Sequence, residues 1–125
     1  MWVLIAISIS MGCKENLFEE GERIYTAYCS NCHMDNGSGL GTLIPPLTSQ
    51  EYLTVNKTLL PCIITYGQQG PIEVDGIIYN WDMPGAELSD VQLLNLINYI
   101  TNEWGNNMGY TTIDEIKLWK SKCEE

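Results

Sequence analysis

An all-α fold of four to five short helices, with one small β-hairpin in its second half, is predicted by three observations. Apolar residues recur at helical spacing in several short segments. Most of these segments open on a Ser, Thr or Asn able to cap a helix. One stretch instead places two strand-like pieces around an Asp-Gly pair. The 125 residues are 45% hydrophobic and 10% aromatic, enough for one core and too few for a second catalytic domain. Sixteen carboxylates face six Lys and Arg, a formal charge of −10. That balance argues against nucleic acid, whose affinity comes from cations on phosphates, and favours a basic docking partner or simple solubility.

The amino-terminal segment Trp2 to Met11 is an apolar run, too short to span a bilayer and suited to the core of a signal peptide. It ends in Ser10, Met11, Gly12 and Cys13, which resembles the lipobox of bacterial lipoproteins, with Cys13 as the lipidated first residue. The expected division is a lipoprotein-type signal over residues 1–12 and a mature domain over 13–125. Ser10 stands where Leu is usual and no Lys or Arg precedes the run, so an ordinary cleaved or retained signal is the alternative. Either version exports the chain to an oxidising compartment. A lipid-anchored product would sit on the periplasmic side of a membrane or in the outer membrane.

The first helix is expected from Leu17 to Tyr28, with Leu17, Phe18, Ile24, Tyr25 and Tyr28 at helical spacing and four glutamates near its start, where the dipole favours negative charge. Gly21 inside it implies the close approach of another helix. The helix runs into Cys29, Cys32 and His33, written CSNCH. Five cysteines and one histidine would admit a zinc site, a disulfide scaffold or a haem site, and position separates them. Two thiols two residues apart, followed at once by an imidazole, is the arrangement by which haem vinyl groups are tethered and iron is ligated. The one histidine of the chain is the one this pattern requires. Setting aside Cys13, Cys29 and Cys32 leaves Cys62 and Cys123, either a disulfide or two buried small apolar residues.

After His33, the glycines at 37, 39 and 41 lack the Lys and Ser or Thr of a phosphate loop. They read as a loop that wraps a flat cofactor closely, stiffened at its exit by Pro45 and Pro46. The Pro45 carbonyl is the expected acceptor for the His33 Nδ1 hydrogen, which would turn Nε2 toward iron. Leu47 would then pack on the haem face. Thr48 with Glu51 has capping-box spacing for a short helical turn. Asn56 is expected to cap a further helix that Gly67 closes, and Pro61 inside it implies either a kink or a regular part that begins near Leu60. Ile63, Ile64 and Tyr66 give that helix an apolar side read as general core. Ile72 to Val74 and Ile77 to Tyr79 flank Asp75 and Gly76 as a hairpin. It would hold the next loop, with Met83 and Pro84, above the cofactor. Ser89 caps a long helix expected to end at Gly105, and Thr112 with Glu115 opens a last one.

An amino-terminal helix leading into CSNCH, a PPL segment, the stretch GPIEVDGIIYNWDMPG and the helix LSDVQLLNLINYITNEWG resemble the class I monohaem cytochromes c of bacterial exported type. The resemblance covers roughly residues 17–122, nearly the whole mature chain. It implies a cytochrome c fold, with the helices packed around one covalently attached haem c and the hairpin preceding the axial methionine loop. It also implies that a methionine before proline, here Met83, is the second axial ligand, and that the first and penultimate helices cross at Gly21 and Tyr25 against Leu96, Tyr99 and Ile100. Pro45, Leu47, Tyr79 and Trp81 are the expected haem-pocket residues. Met108 is the rival thioether, since Met34 is adjacent to His33. A soft thioether opposite imidazole raises the potential, which suits a carrier. Met34 departs from the family, which commonly has glycine there.

Three functional classes follow. The first is an electron carrier with redox protein partners, a membrane tie through the lipid anchor and no small-molecule substrate. The second is a dedicated haem subunit of an oxidoreductase complex, or a peroxidase if Met83 dissociates. The third is thiol redox or zinc chemistry at Cys29 and Cys32, which lacks the βαβ context of the one and the ligand spacing of the other.

Overall fold

The computed structural model describes residues 18–123. The expected signal segment 1–12, the lipidation candidate Cys13 and the first residue of the expected opening helix, Leu17, lie outside them. Six α-helices and one two-stranded sheet follow in order among the described residues. They are α1 (Glu19–Tyr28), α2 (Ser30–His33), α3 (Gln50–Val55), α4 (Leu60–Tyr66), β1 (Ile72–Val74), β2 (Ile77–Tyr79), α5 (Asp90–Ile100) and α6 (Ile113–Lys120). A 3-10 turn over Lys57–Leu59 leads into α4. The expected all-α architecture with one small hairpin is what the chain adopts. The helix number exceeds the expectation because the chain breaks at Cys29 and restarts as the single turn α2.

The core forms where α1 crosses α5. A methyl on Gly21 would collide with the Asn95 carbonyl oxygen and lie 2.6 Å from the Tyr99 Cβ, so hydrogen alone fits there. One turn further on, Tyr25 is 1% exposed. Its ring stands 5.5 Å from that of Tyr99 and 4.9 Å from that of Trp104, within the range of favourable tilted aromatic contacts. Leu93, Leu96, Ile97 and Ile100 bury the facing side of α5, and Ile116 of α6 closes the same cluster.

Local signals place several element ends. Ser89 and Gln92 form a reciprocal capping box at the start of α5, as do Thr112 and Glu115 at α6. The Thr112 backbone N–H donates to the Glu115 carboxylate and holds its pKa below the usual range. β1 and β2 pair antiparallel with Val74 opposite Ile77. Asp75 and Gly76 both take positive φ, at 52° and 80°, as the tight primed hairpin turn demands.

Three expected boundaries move, each because a side chain finds a different hydrogen-bond partner from the one expected. The cap of α3 is Ser49 rather than Thr48, since the Ser49 hydroxyl accepts from the Tyr52 N–H while donating to the Asp75 carboxylate of the hairpin turn at 2.7 Å. Asn56 makes no side-chain cap for the helix after it. Its Nδ2 donates back to the Tyr52 carbonyl at 2.8 Å and closes α3 instead. α5 ends at Ile100, with Thr101 as its cap, rather than at Gly105. There the Thr101 hydroxyl donates to the Ile97 carbonyl, and Asn106 folds back to cap the Ile100 carbonyl.

Cys62 of α4 and Cys123 beyond α6 are joined in a disulfide, with Cα atoms 5.5 Å apart. It links positions 61 apart in sequence, and restricting so long a loop in the unfolded chain stabilises the fold by about 2–4 kcal/mol. Replacing both cysteines by alanine is expected to lower the unfolding free energy by about that amount. A denaturant titration checks this, and an unchanged midpoint would show the bridge to be thermodynamically idle.

Candidate functional site

His33 closes α2 and is 7% exposed. Its Nδ1 lies 3.0 Å from the Pro45 carbonyl oxygen. With Nδ1 donating to that carbonyl, Nε2 carries the free lone pair. Burial pushes the His33 pKa below the ordinary imidazole range, opposed by the bond to Pro45, so the ring is neutral at pH 7 and competent to bind a metal.

Met83 follows β2 and is mounted on the end of α4. Its N–H donates to the Gln68 carbonyl at 2.9 Å, and the Gln68 N–H donates to the Met83 carbonyl at 3.0 Å. The Ala86 N–H then donates to the Ile64 carbonyl at 2.8 Å. Two glycines let these backbones meet. Gly67, at φ 80°, ends α4 with no room for a methyl against the Met83 carbonyl, and a methyl on Gly85 would collide with the Thr65 carbonyl.

Between these mounts lies a cleft of two adjoining lobes. Cys29, His33, Pro45 and Met83 border both lobes. Cys32, Tyr79 and Trp81 border the first only, and Leu47 the second only. Trp81 is 64% exposed at the mouth, while Tyr79 is buried. Met108 borders neither lobe and packs, half-buried, against the core.

The second lobe is floored by Leu53, Leu60, Ile63, Ile64, Val74, Leu96 and Ile100. Ile63 and Ile64 thus line the cleft, Ile64 also belongs to the buried core the sequence indicated, and Tyr66 is exposed. Sequence reasoning also missed Gln68, which borders both lobes and whose Nε2 lies 3.5 Å from the Tyr52 hydroxyl. Its backbone bridge to Met83 has no local signature. The glycine after α4 was the nearest signal.

Burial and the neighbouring Cys32 push the Cys29 thiol up to about 11, the reverse of the lowered value that makes a thiol a redox nucleophile. An apolar cleft bordered by two thiols, an imidazole and a soft thioether fits an iron porphyrin, which Cys29 and Cys32 would tether and His33 and Met83 would ligate.

That chemistry within a helical shell defines a haem-bearing electron carrier rather than an enzyme. Residues 18–104 match the cytochrome c family model, and the chain belongs to that family. It is 34% identical over 113 residues to cytochrome c-552 of Thermus thermophilus, covering 82% of this chain and 86% of the relative. It is 30% identical over 90 residues to the cytochrome c subunit of a quinone alcohol dehydrogenase from Gluconobacter oxydans (strain 621H), covering 70% of this chain and 19% of that protein. The corresponding subunit of Komagataeibacter europaeus is 32% identical over 94 residues, with 69% and 19% covered.

Next to the imidazole, Met34 stands at φ 66°, ψ 162°, a region almost reserved for glycine. Its carbonyl accepts from the buried Tyr25 hydroxyl at 2.6 Å, which holds the backbone in place. Such a conformation costs a side-chain-bearing residue about 1–3 kcal/mol, against about 0.5–1 kcal/mol for glycine's greater freedom when unfolded. Met34→Gly is therefore expected to raise stability by about 1 kcal/mol. Thermal unfolding of the haem-bearing protein checks this, and a lower Tm would contradict it.

Proposed function

We propose that this chain is a monohaem carrier in which Cys29 and Cys32 each add a thiol across a haem vinyl group while His33 Nε2 and Met83 Sδ hold the iron. The observation that carries this reading is that His33 and Met83, on separate mounts, border both lobes of one apolar cleft whose wall also bears Cys29. Haem, when bound, supplies a one-electron ferrous–ferric couple.

The chain's own residues account for the rest. The Pro45 carbonyl orients the imidazole and increases its basicity. The clamp of Gln68 on Met83 keeps the thioether at the cleft, which favours the ferrous state and leaves no position for substrate. Tyr79, Leu47 and the aliphatic floor exclude water. Trp81, at the mouth, lies on the surface a partner would approach. A charge of −10 suits a basic partner. Export through the segment 1–12, with Cys13 as a lipid anchor on the periplasmic side of the envelope or in the outer membrane, completes the proposal.

A second reading, a dedicated haem subunit of an oxidoreductase complex, is favoured by the similarity to the cytochrome c subunit of quinone alcohol dehydrogenase. It keeps the same site and differs only in whether the partner is permanent. Co-purification with a dehydrogenase from the native membrane would select it.

Replacing Cys29 and Cys32 together by alanine is expected to abolish haem that survives denaturation. A haem-stained band from that variant would contradict the attachment site. Met83→Ala should remove the weak near-infrared sulfur-to-iron band of the ferric protein, and Met108→Ala should keep it. The opposite pattern would transfer the ligand to Met108. Electron-transfer rates with a basic redox protein should fall as ionic strength rises. A flat profile would make the acidic surface incidental to docking.

A further inference from the structure

We propose that Asn106 is a positioning residue for the His33 imidazole, acting through the Pro45–Leu47 segment whose carbonyl receives the His33 Nδ1 hydrogen. The inference rests on the proposed role of His33 as an axial ligand and adds what holds that ligand's acceptor in place.

Pro45 and Pro46 have no N–H groups, so this segment cannot tie itself down by backbone donation at either residue. Leu47 must do it for them. Its N–H donates to the Gly37 carbonyl at 2.7 Å, which fixes one side of the segment to the loop after His33. On the other side its carbonyl accepts from Asn106 Nδ2 at 2.9 Å, across 59 residues of sequence. The same nitrogen donates its second hydrogen to the Ile100 carbonyl at 2.9 Å, at the end of α5. Asn106 is 5% exposed, so water does not readily replace either bond.

One amide group therefore ties the end of α5, itself locked to α1, to the strip of chain that aims the imidazole. The chemistry is specific to a carboxamide. Aspartate has the same shape with no hydrogen to give, and a serine hydroxyl carries one hydrogen on a shorter arm. A second amide of the same loop provides a control. Asn102 Nδ2 donates to the Asn98 and Gly109 carbonyls, at 2.9 Å each, and supports the 101–109 loop without touching residues 45–47.

The experiment compares the haem-loaded wild type with Asn106→Ala, Asn106→Ser and Asn102→Ala. Exchange of the His33 Nδ1 hydrogen is followed by NMR in the ferrous state, with the midpoint potential and thermal stability measured alongside. Loss of one buried hydrogen bond from the acceptor strip is expected to speed that exchange about five- to tenfold in Asn106→Ala. The potential should rise, because a looser acceptor makes the imidazole a poorer donor to ferric iron. Asn102→Ala should lower stability and leave both readouts at wild-type values.

The inference fails if Asn106→Ala loses stability with unchanged exchange and potential, or if Asn102→Ala moves both readouts equally. If Asn106→Ala does not retain haem, Asn106→Ser carries the same expectations and the same means of failure. A wild-type protein without a protected His33 Nδ1 hydrogen would instead sink the ligand assignment, a result distinct from protection that Asn106 does not influence.

Discussion

The backbone of α1 rests on α5 at Gly21 with no side chain between them, and the geometry of the site depends on that contact. Above it, Tyr25, Tyr99 and Trp104 interlock as a buried aromatic group. The Tyr25 hydroxyl reaches past the end of α1 to the Met34 carbonyl. The turn carrying Cys29, Cys32 and His33 is thereby fixed between a helix crossing and a phenolic hydrogen bond. A helix of four residues has no stability of its own, so its order comes from these neighbours. The side chains of Leu96 and Ile100 on α5 then serve two purposes, packing the crossing and flooring the cleft.

The opposite wall is built on another principle. α4 is seven residues long and too short to hold a shape alone. It is clasped at one end by the bridge from Cys62 to Cys123 and at the other by the paired backbones of Gln68 and Met83. The histidine wall is thus held by side-chain packing, and the methionine wall by backbone pairing through glycines. Aromatic packing tolerates little displacement, whereas a single antiparallel bridge can open and close with few other contacts disturbed. The same division matches the chemistry proposed for each side, a wall that would carry the covalent tethers facing a ligand held by backbone pairing.

Sequence reading succeeded where the governing interaction is local. The Asp-Gly hairpin, the Ser89 cap and the capping box of Thr112 with Glu115 each lie within a few residues, and their geometry follows from those residues. The family resemblance supplied the global arrangement, including the crossing at Gly21. It did not supply the boundaries decided by which of several competent side chains finds a partner. Thr48 and Ser49 are both competent caps, and Asp75, 26 residues from Ser49, selects between them. Gly105 looked like a helix stop because glycine usually is one. The chain stops sooner because Thr101 bonds back within the helix and Asn106 satisfies the orphan carbonyl of Ile100. The cleft wall formed by Ile63 and Ile64 was illegible for a different reason. An aliphatic side chain facing a cofactor and one facing another helix look alike in sequence.

The bridge between Cys62 and Cys123 has a consequence for how the protein matures. Among the described residues it leaves Cys29 and Cys32 as the free thiols, so the chain must keep two pairs of cysteines from exchanging partners. The separation of the pairs is a matter of proton affinity as well as place. A thiol pushed up to about 11, as Cys29 is within the fold, is almost wholly protonated at neutral pH and slow to attack a disulfide. Once the polypeptide has collapsed around the cleft, Cys29 is a poor participant in shuffling. Within the fold, Cys29 is thus set apart, in place and in proton affinity, from the bridge that staples the chain's other end.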